Sequence, residues 1–156
     1  MTLMIFGLGL WWVSHLFPIY LPGRRAEAVA RVGEKPYKML FALISLAAIV
    51  LMVAGFRRAD FIDVWTPPAW TVHLNNLLML LAIFLIGAKD AKSSVRHHIR
   101  HPMLAGVKAW ALAHLLVNGD LAAMVLFGGL LGWAVVAMIG SNRRDGIWVR
   151  PAKGDR

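Results

Sequence analysis

Five apolar segments alternate with short polar segments along this chain. The apolar segments cover residues 3–21, 39–56, 69–88, 103–117 and 121–139. A helix that crosses a bilayer needs roughly 17 to 25 predominantly apolar residues. The fourth segment is the shortest, and Lys108 within it can extend its charged end to the lipid headgroups. The pattern therefore predicts an all-α, polytopic membrane bundle of about five transmembrane helices.

Composition supports this class and excludes several others. Hydrophobic residues make up 59% of the 156 residues, whereas a soluble domain is typically about 45–50% apolar. The chain has no cysteine, which excludes disulfides, thiolate ligands and iron–sulfur clusters. It also has no Walker loop, no dinucleotide-binding glycine pattern and no nucleophile elbow. We expect residues 1–140 to form one transmembrane domain and residues 141–156 a polar cytoplasmic tail.

The net charge of +9 is distributed by loop. The second polar segment carries Arg57 and Arg58, balanced by Asp60 and Asp63. Most of the other basic residues lie in the first loop, the third loop and the tail, namely Arg24, Arg25, Arg31, Lys35, Lys89, Lys92, Arg96, Arg100, Arg143, Arg144, Arg150, Lys153 and Arg156. Such alternation is typical of membrane topology and not of a nucleic-acid-binding face. It predicts an N-terminus outside and a C-terminus in the cytoplasm.

The first apolar segment also has to be compared with a cleaved signal peptide. The sequence Ala26-Glu27-Ala28 resembles a cleavage site. However, no basic residue precedes the apolar run, and Arg24 and Arg25 follow it directly. We therefore expect the segment to be retained as a membrane span.

His15 and His114 are the first candidates for function, because each lies inside an apolar segment. An ionisable side chain at membrane depth is costly and usually faces a partner, a cavity or a metal. Trp11 lies one helical turn before His15, and Trp110 and Asn118 lie one turn to either side of His114. At 1.5 Å of rise per residue, both histidines fall within a few ångströms of the bilayer midplane. An interhelical hydrogen bond, a shared metal or haem, and a proton or substrate path all fit this pattern.

The remaining histidines form two weaker groups. His73 and Asn76 share a helix face and predict either a polar contact between helices or a second small site. His97, His98 and His101 lie in the third loop beside two arginines. This cluster suits a metal or an anionic group such as a haem propionate, but the pattern favours a basic segment attracted to anionic lipid.

Several short motifs resemble the NnrU family of membrane proteins. They are Ser14-His15, Gly33-Glu34-Lys35-Pro36-Tyr37-Lys38, Trp65-Thr66-Pro67-Pro68, Arg100-His101-Pro102-Met103 and the run from Ala113 to Asp120. The resemblance covers nearly all of the apolar region. It implies a small polytopic protein of the bacterial inner membrane that is associated with denitrification and nitric-oxide metabolism.

Four of these features are similar to those of zeta-carotene isomerase, a haem-dependent membrane enzyme of carotenoid synthesis. They are His15, the Gly33–Lys38 loop, Arg100-His101-Pro102 and Ala113-His114. This resemblance implies that His15 and His114 match its proposed haem ligands. The isomerase has a cysteine three residues before its second ligand, where this chain has Ala111. A mechanism that needs a thiolate ligand is therefore unavailable to this chain.

These observations lead to one main hypothesis and two alternatives. The main hypothesis is a membrane protein that binds haem b through His15 and His114 as axial ligands to the iron. Its partners would be the lipid bilayer and membrane redox or denitrification proteins, and no nucleic acid. The first alternative is a haem-dependent isomerase or oxidoreductase acting on an apolar polyene. The second is a cofactor-free assembly or transport protein. The sequence does not predict a substrate, a catalytic residue or an oligomeric state.

Overall fold

A computed structural model describes residues 1–89 and 94–153 of the chain. It contains helices throughout, which confirms the all-α prediction. The helices are α1 (Thr2–Tyr20), α2 (Pro22–Val32), α3 (Glu34–Arg58), α4 (Thr71–Gly87), α5 (Ser94–His98), α6 (Pro102–Val117) and α7 (Leu121–Asp145). They fall into two compact units, Met1–Phe61 and Ile62–Arg156. The basic residues Lys92 and Arg156 lie outside the described residues.

In the first unit, α1 packs along α3, and α2 contacts both. The close approach of α1 and α3 depends on glycines. A methyl group on Gly7 would meet the carbonyl oxygen of Ala48 at 2.8 Å, and one on Gly55 would collide with the backbone of Met4. Small residues let helix backbones approach closely in membranes, where dispersion forces replace the hydrophobic effect. Gly9, two residues after Gly7, makes no such close approach, because a methyl group added there would have nothing within 4 Å.

The second helix lies in a segment that hydropathy predicts only as a loop. Pro22 occupies the first turn of α2, where its missing N–H costs nothing. The helix ends at Gly33, whose φ of 92° is favourable for glycine and strained for other residues. The following helix, α3, begins directly at Glu34, and Lys38 one turn later pairs with this carboxylate at 3.0 Å.

In the second unit, α6 packs against both α4 and α7. Gly106 allows the contact with α4, because a methyl group there would meet the Ala82 carbonyl oxygen at 3.0 Å. One end of this unit is closed by hydrogen bonds between two loops. The Gly119 carbonyl accepts from the backbone N–H groups of Val64 (2.8 Å) and Trp65 (3.2 Å), and the Leu121 N–H donates to the Ile62 carbonyl.

At the other end of this unit, the segment before α6 meets the segment after α7. The ring of His101 donates from Nε2 to Asn142 Oδ1 at 2.8 Å. His97 donates from Nδ1 to the Pro151 carbonyl, also at 2.8 Å. The third loop and the C-terminal segment therefore lie at the same end of the second unit, as the charge distribution predicts.

The predicted apolar segments all form helices, with shifted ends. Three of the helices are long and apolar enough to cross a membrane, namely Thr2–Tyr20, Glu34–Arg58 and Leu121–Asp145. Thr71–Gly87 and Pro102–Val117 are shorter apolar helices. The number of spans therefore lies between three and five. Large apolar side chains such as Phe6, Val13 and Leu80 are 66–71% exposed, which is appropriate for helices that face lipid.

Candidate functional site

His15 lies on α1 within an aromatic and hydrogen-bonded setting. Its ring stacks on Trp11 with a centroid distance of 3.7 Å and an interplanar angle of 21°. Nδ1 lies 3.0 Å from the Trp11 carbonyl oxygen and 3.1 Å from Ser14 Oγ. The Ser14 hydroxyl also donates to the Trp11 carbonyl. Phe41 on α3 contacts the same imidazole at 4.9 Å.

His114 lies on α6 in a setting of the same kind. Its Nδ1 is 2.8 Å from the carbonyl oxygen of Trp110, one turn earlier. The imidazole stacks on Phe127 of α7 at 4.5 Å, with an interplanar angle of 21°. Trp110 contacts both rings, at 4.8 Å from His114 and 5.2 Å from Phe127. The ring is half-buried and its plane is defined by these neighbours.

Both histidines therefore have the same tautomer. A carbonyl oxygen can only accept a hydrogen bond, so Nδ1 carries the proton and Nε2 carries the lone pair in each neutral ring. Ligand histidines in metal sites have this arrangement, in which the second ring nitrogen donates to a carbonyl or carboxylate. The stacked aromatic rings lie against the imidazole faces, and the Nε2 lone pair lies in the ring plane. Each histidine, taken by itself, therefore has the chemistry of an axial ligand to a haem iron.

His15 belongs to the first unit and His114 to the second. The sequence predicts the tryptophan one turn before each histidine, and the structure confirms both contacts. It does not predict Phe41 or Phe127, which come from other helices. No local pattern identifies which aromatic residue of a distant segment will pack on a given ring.

The turn after His114 explains a run of polar residues in an apolar region. Asn118 Nδ2 donates to the His114 carbonyl at 2.8 Å and so caps the end of α6. Asp120 is buried and caps α7 by accepting from the Ala123 N–H at 3.1 Å. Gly119 lies between them, against the Trp65 carbonyl. These residues hold the end of the helix that carries His114. Ala111, three residues before His114, is fully buried.

The Tyr37-Lys38 pair lines a cavity of about 260 Å³ in the first unit, together with Pro18, Arg25 and Phe41. The guanidinium of Arg25 lies over the Tyr37 ring at 5.2 Å from its centroid. Phe41 thus contacts His15 on one side and forms part of this basic cavity on the other.

The other histidines occupy different settings. His73 and Asn76 on α4 are exposed, and Asn76 accepts a hydrogen bond from the neighbouring Asn75. His97 and His98 contact each other edge to face at 5.1 Å. Over residues 1–89 and 94–153, no three His, Asp or Glu side chains are grouped so that they could hold a metal ion. His98 and His101 instead line a cavity at the start of α6.

Comparison with known proteins gives a family and a distant relative. The chain is 27% identical over 133 residues to a protein of Zea mays described as 15-cis-zeta-carotene isomerase, chloroplastic. The match covers 72% of this chain and 36% of the maize protein, so the chain spans about a third of that relative's length. No solved structure gives a significant match. A family model described as NnrU protein matches residues 3–156. The chain therefore belongs to the NnrU protein family.

Proposed function

We propose that this protein binds haem b in the membrane, with His15 and His114 as the axial ligands of the iron. The observation that carries the proposal is a hydrogen bond that each histidine makes from Nδ1 to the carbonyl of a tryptophan one turn earlier. Its length is 3.0 Å at His15 and 2.8 Å at His114. This bond selects the Nε2 lone pair for ligation and raises the basicity of the ring. Two histidines with the same tautomer suit a six-coordinate haem.

The aromatic neighbours support the same proposal. Trp11 and Phe41 limit the rotation of the His15 ring, and Trp110 and Phe127 do so for His114. An apolar, aromatic surrounding also excludes water, which affects the reduction potential of a haem. The basic cavity beside Phe41 supports carboxylate binding, such as that of the haem propionates, through Arg25, and through Lys38 where a propionate competes with its partner Glu34. A bound haem would supply one-electron redox chemistry.

The proposed context is nitric-oxide and denitrification metabolism in the inner membrane of a bacterium. Support for this context comes from family membership. Membrane redox or denitrification proteins are the partners we propose, and the charge distribution supports an N-terminus outside and a C-terminus in the cytoplasm.

A second candidate is a haem-dependent isomerase or oxidoreductase that acts on an apolar polyene. The similarity to the maize protein described as a zeta-carotene isomerase favours it. Ala111 offers no thiolate in this chain, so such an activity would have to use the two histidines without a sulfur ligand. A cofactor-free assembly or transport role is the third candidate, in which the rings serve helix packing alone.

The test is the reduced-minus-oxidised visible spectrum of the detergent-purified protein, expressed with ample haem. We expect near-stoichiometric haem b with a low-spin, six-coordinate spectrum, which becomes high-spin or is lost in His15→Ala and in His114→Ala. His73→Ala is the matched control, because His73 is an exposed histidine of another apolar helix. A wild-type protein without haem, or equal haem loss in the control, would contradict the proposal.

A further inference from the structure

A second cavity lies in the second unit, where α6 begins, and it is rich in basic side chains. Its volume is about 470 Å³, and His98, Arg100, His101 and Lys108 line it. The first three come from the segment before α6, and Lys108 comes from the helix itself. The cavity also lies at the N-terminal end of α6, where the helix dipole adds positive potential. Its electrostatic field therefore favours an anion.

The positive charge of this cavity is only partly compensated among the described residues. Lys108 Nζ contacts the sulfur of Met138 at 3.5 Å, and a thioether is only a weak acceptor. His101 donates to the neutral amide of Asn142. Asp145, at the adjoining end of α7, is bound by Arg144 with an Nε···Oδ1 distance of 2.9 Å and also interacts electrostatically with Arg100 and His101. It therefore offsets only part of the charge.

Apart from the amide of Asn142, the rest of the lining is apolar. It consists of Ile99, Ala105, Met138 and Trp148. Lys108 lies six residues into α6, which corresponds to roughly 9 Å along the axis. Its ammonium group can therefore extend back to the level of the lipid headgroups. Tryptophan is typical of the same interfacial level. The cavity thus combines cations with an apolar surface at the boundary between lipid and water.

We propose that this cavity binds an anionic phospholipid, with Arg100 and Lys108 contacting the headgroup phosphate. Basic pockets between membrane helices at the interface suit such headgroups. The apolar wall of Ala105 and Met138 accommodates the upper part of an acyl chain. A free phosphate ion would make no contact that uses this wall. The bound lipid joins α6, α7 and the segments that precede and follow them. This proposal does not depend on haem binding.

The test measures lipid binding to the full chain by native mass spectrometry from detergent, with phosphatidylglycerol as the probe and phosphatidylcholine as the zwitterionic reference. We expect preferential binding of phosphatidylglycerol. Lys108→Gln and Arg100→Gln should each weaken it about fivefold, which is the effect of roughly one basic residue at an anionic membrane surface. Lys108→Arg retains the charge and should retain most of the affinity.

The matched control is Arg143→Gln, which removes the same charge from an exposed position on α7 outside the cavity lining. Equal weakening in this control would show diffuse attraction of lipid to a basic surface and would overturn the proposal. Equal binding of both lipids would also overturn it. Full displacement of the lipid by millimolar inorganic phosphate would show that the cavity binds a free anion and would overturn the lipid proposal. If circular dichroism shows that Lys108→Gln is misfolded, Arg100→Gln is compared with Arg143→Gln instead.

Discussion

The hydrogen bond from a histidine to the carbonyl one turn earlier has consequences for both stability and chemistry. A buried polar group needs a partner, because an unsatisfied donor costs about 1–3 kcal/mol. At His15 and His114 the helix itself supplies that partner. With the proton on Nδ1, the lone pair of each neutral ring lies on Nε2. The arrangement therefore makes a histidine tolerable in an apolar helix and suitable for a metal.

Gly119 shows how strongly a single position can depend on the absence of a side chain. A methyl group there would collide with the Trp65 carbonyl oxygen, and the Gly119 carbonyl itself accepts from two backbone N–H groups. We expect Gly119→Ala to destabilise the protein by about 1–3 kcal/mol, as overpacking typically does. Thermal unfolding in detergent, followed by circular dichroism, measures the effect.

Gly128→Ala is the matched comparison, since a methyl group at Gly128 has nothing within 4 Å. In the interior of α7 this change should be neutral or stabilising by up to about 1 kcal/mol through helix propensity. Equal melting temperatures for Gly119→Ala and the wild type would disprove the close approach of the two loops.

At the level of elements, hydropathy predicts the apolar helices well and the connections poorly. Each predicted apolar segment forms a helix because length and apolar content decide that outcome locally. The helix α2 is missed because its alternation of Arg, Glu, Ala and Val lowers its mean hydropathy. Pro22 at its start and Gly33 at its end are the signals that identify it. Which helices pack together, such as α1 with α3, depends on long-range contacts that no local window contains.

The contact between α1 and α3 can be tested at its closest point. Gly55→Ala would place a methyl group against the backbone of Met4. Backbone atoms cannot turn aside as a flexible side chain can, so we expect α1 and α3 to separate locally and the protein to lose about 1–3 kcal/mol of stability. Size-exclusion chromatography after stepwise heating in detergent reports the loss as an earlier onset of aggregation. Gly9→Ala, on a part of α1 with nothing within 4 Å, should behave as the wild type.

At the scale of the whole molecule, the second unit has two chemically different ends. Residues 62–65 and 119–121 meet through backbone hydrogen bonds at one end. The basic third loop and the segment after α7 meet at the other, through His101 with Asn142 and His97 with Pro151. Since α4 and α6 connect these two ends, the short helices should cross the membrane together. The positive-inside rule predicts that the basic end faces the cytoplasm.

Cysteine labelling can test this orientation, because the natural chain has no cysteine. Thr66 and Ser94 are exposed and flank α4 on opposite ends. We expect Thr66→Cys to react with a membrane-impermeant maleimide in intact spheroplasts, and Ser94→Cys to react only after the membrane is permeabilised. A reversed pattern would place the basic end outside. Labelling of both positions in intact spheroplasts would mean that α4, despite its apolar sequence, does not cross the bilayer, and that the number of spans is below five.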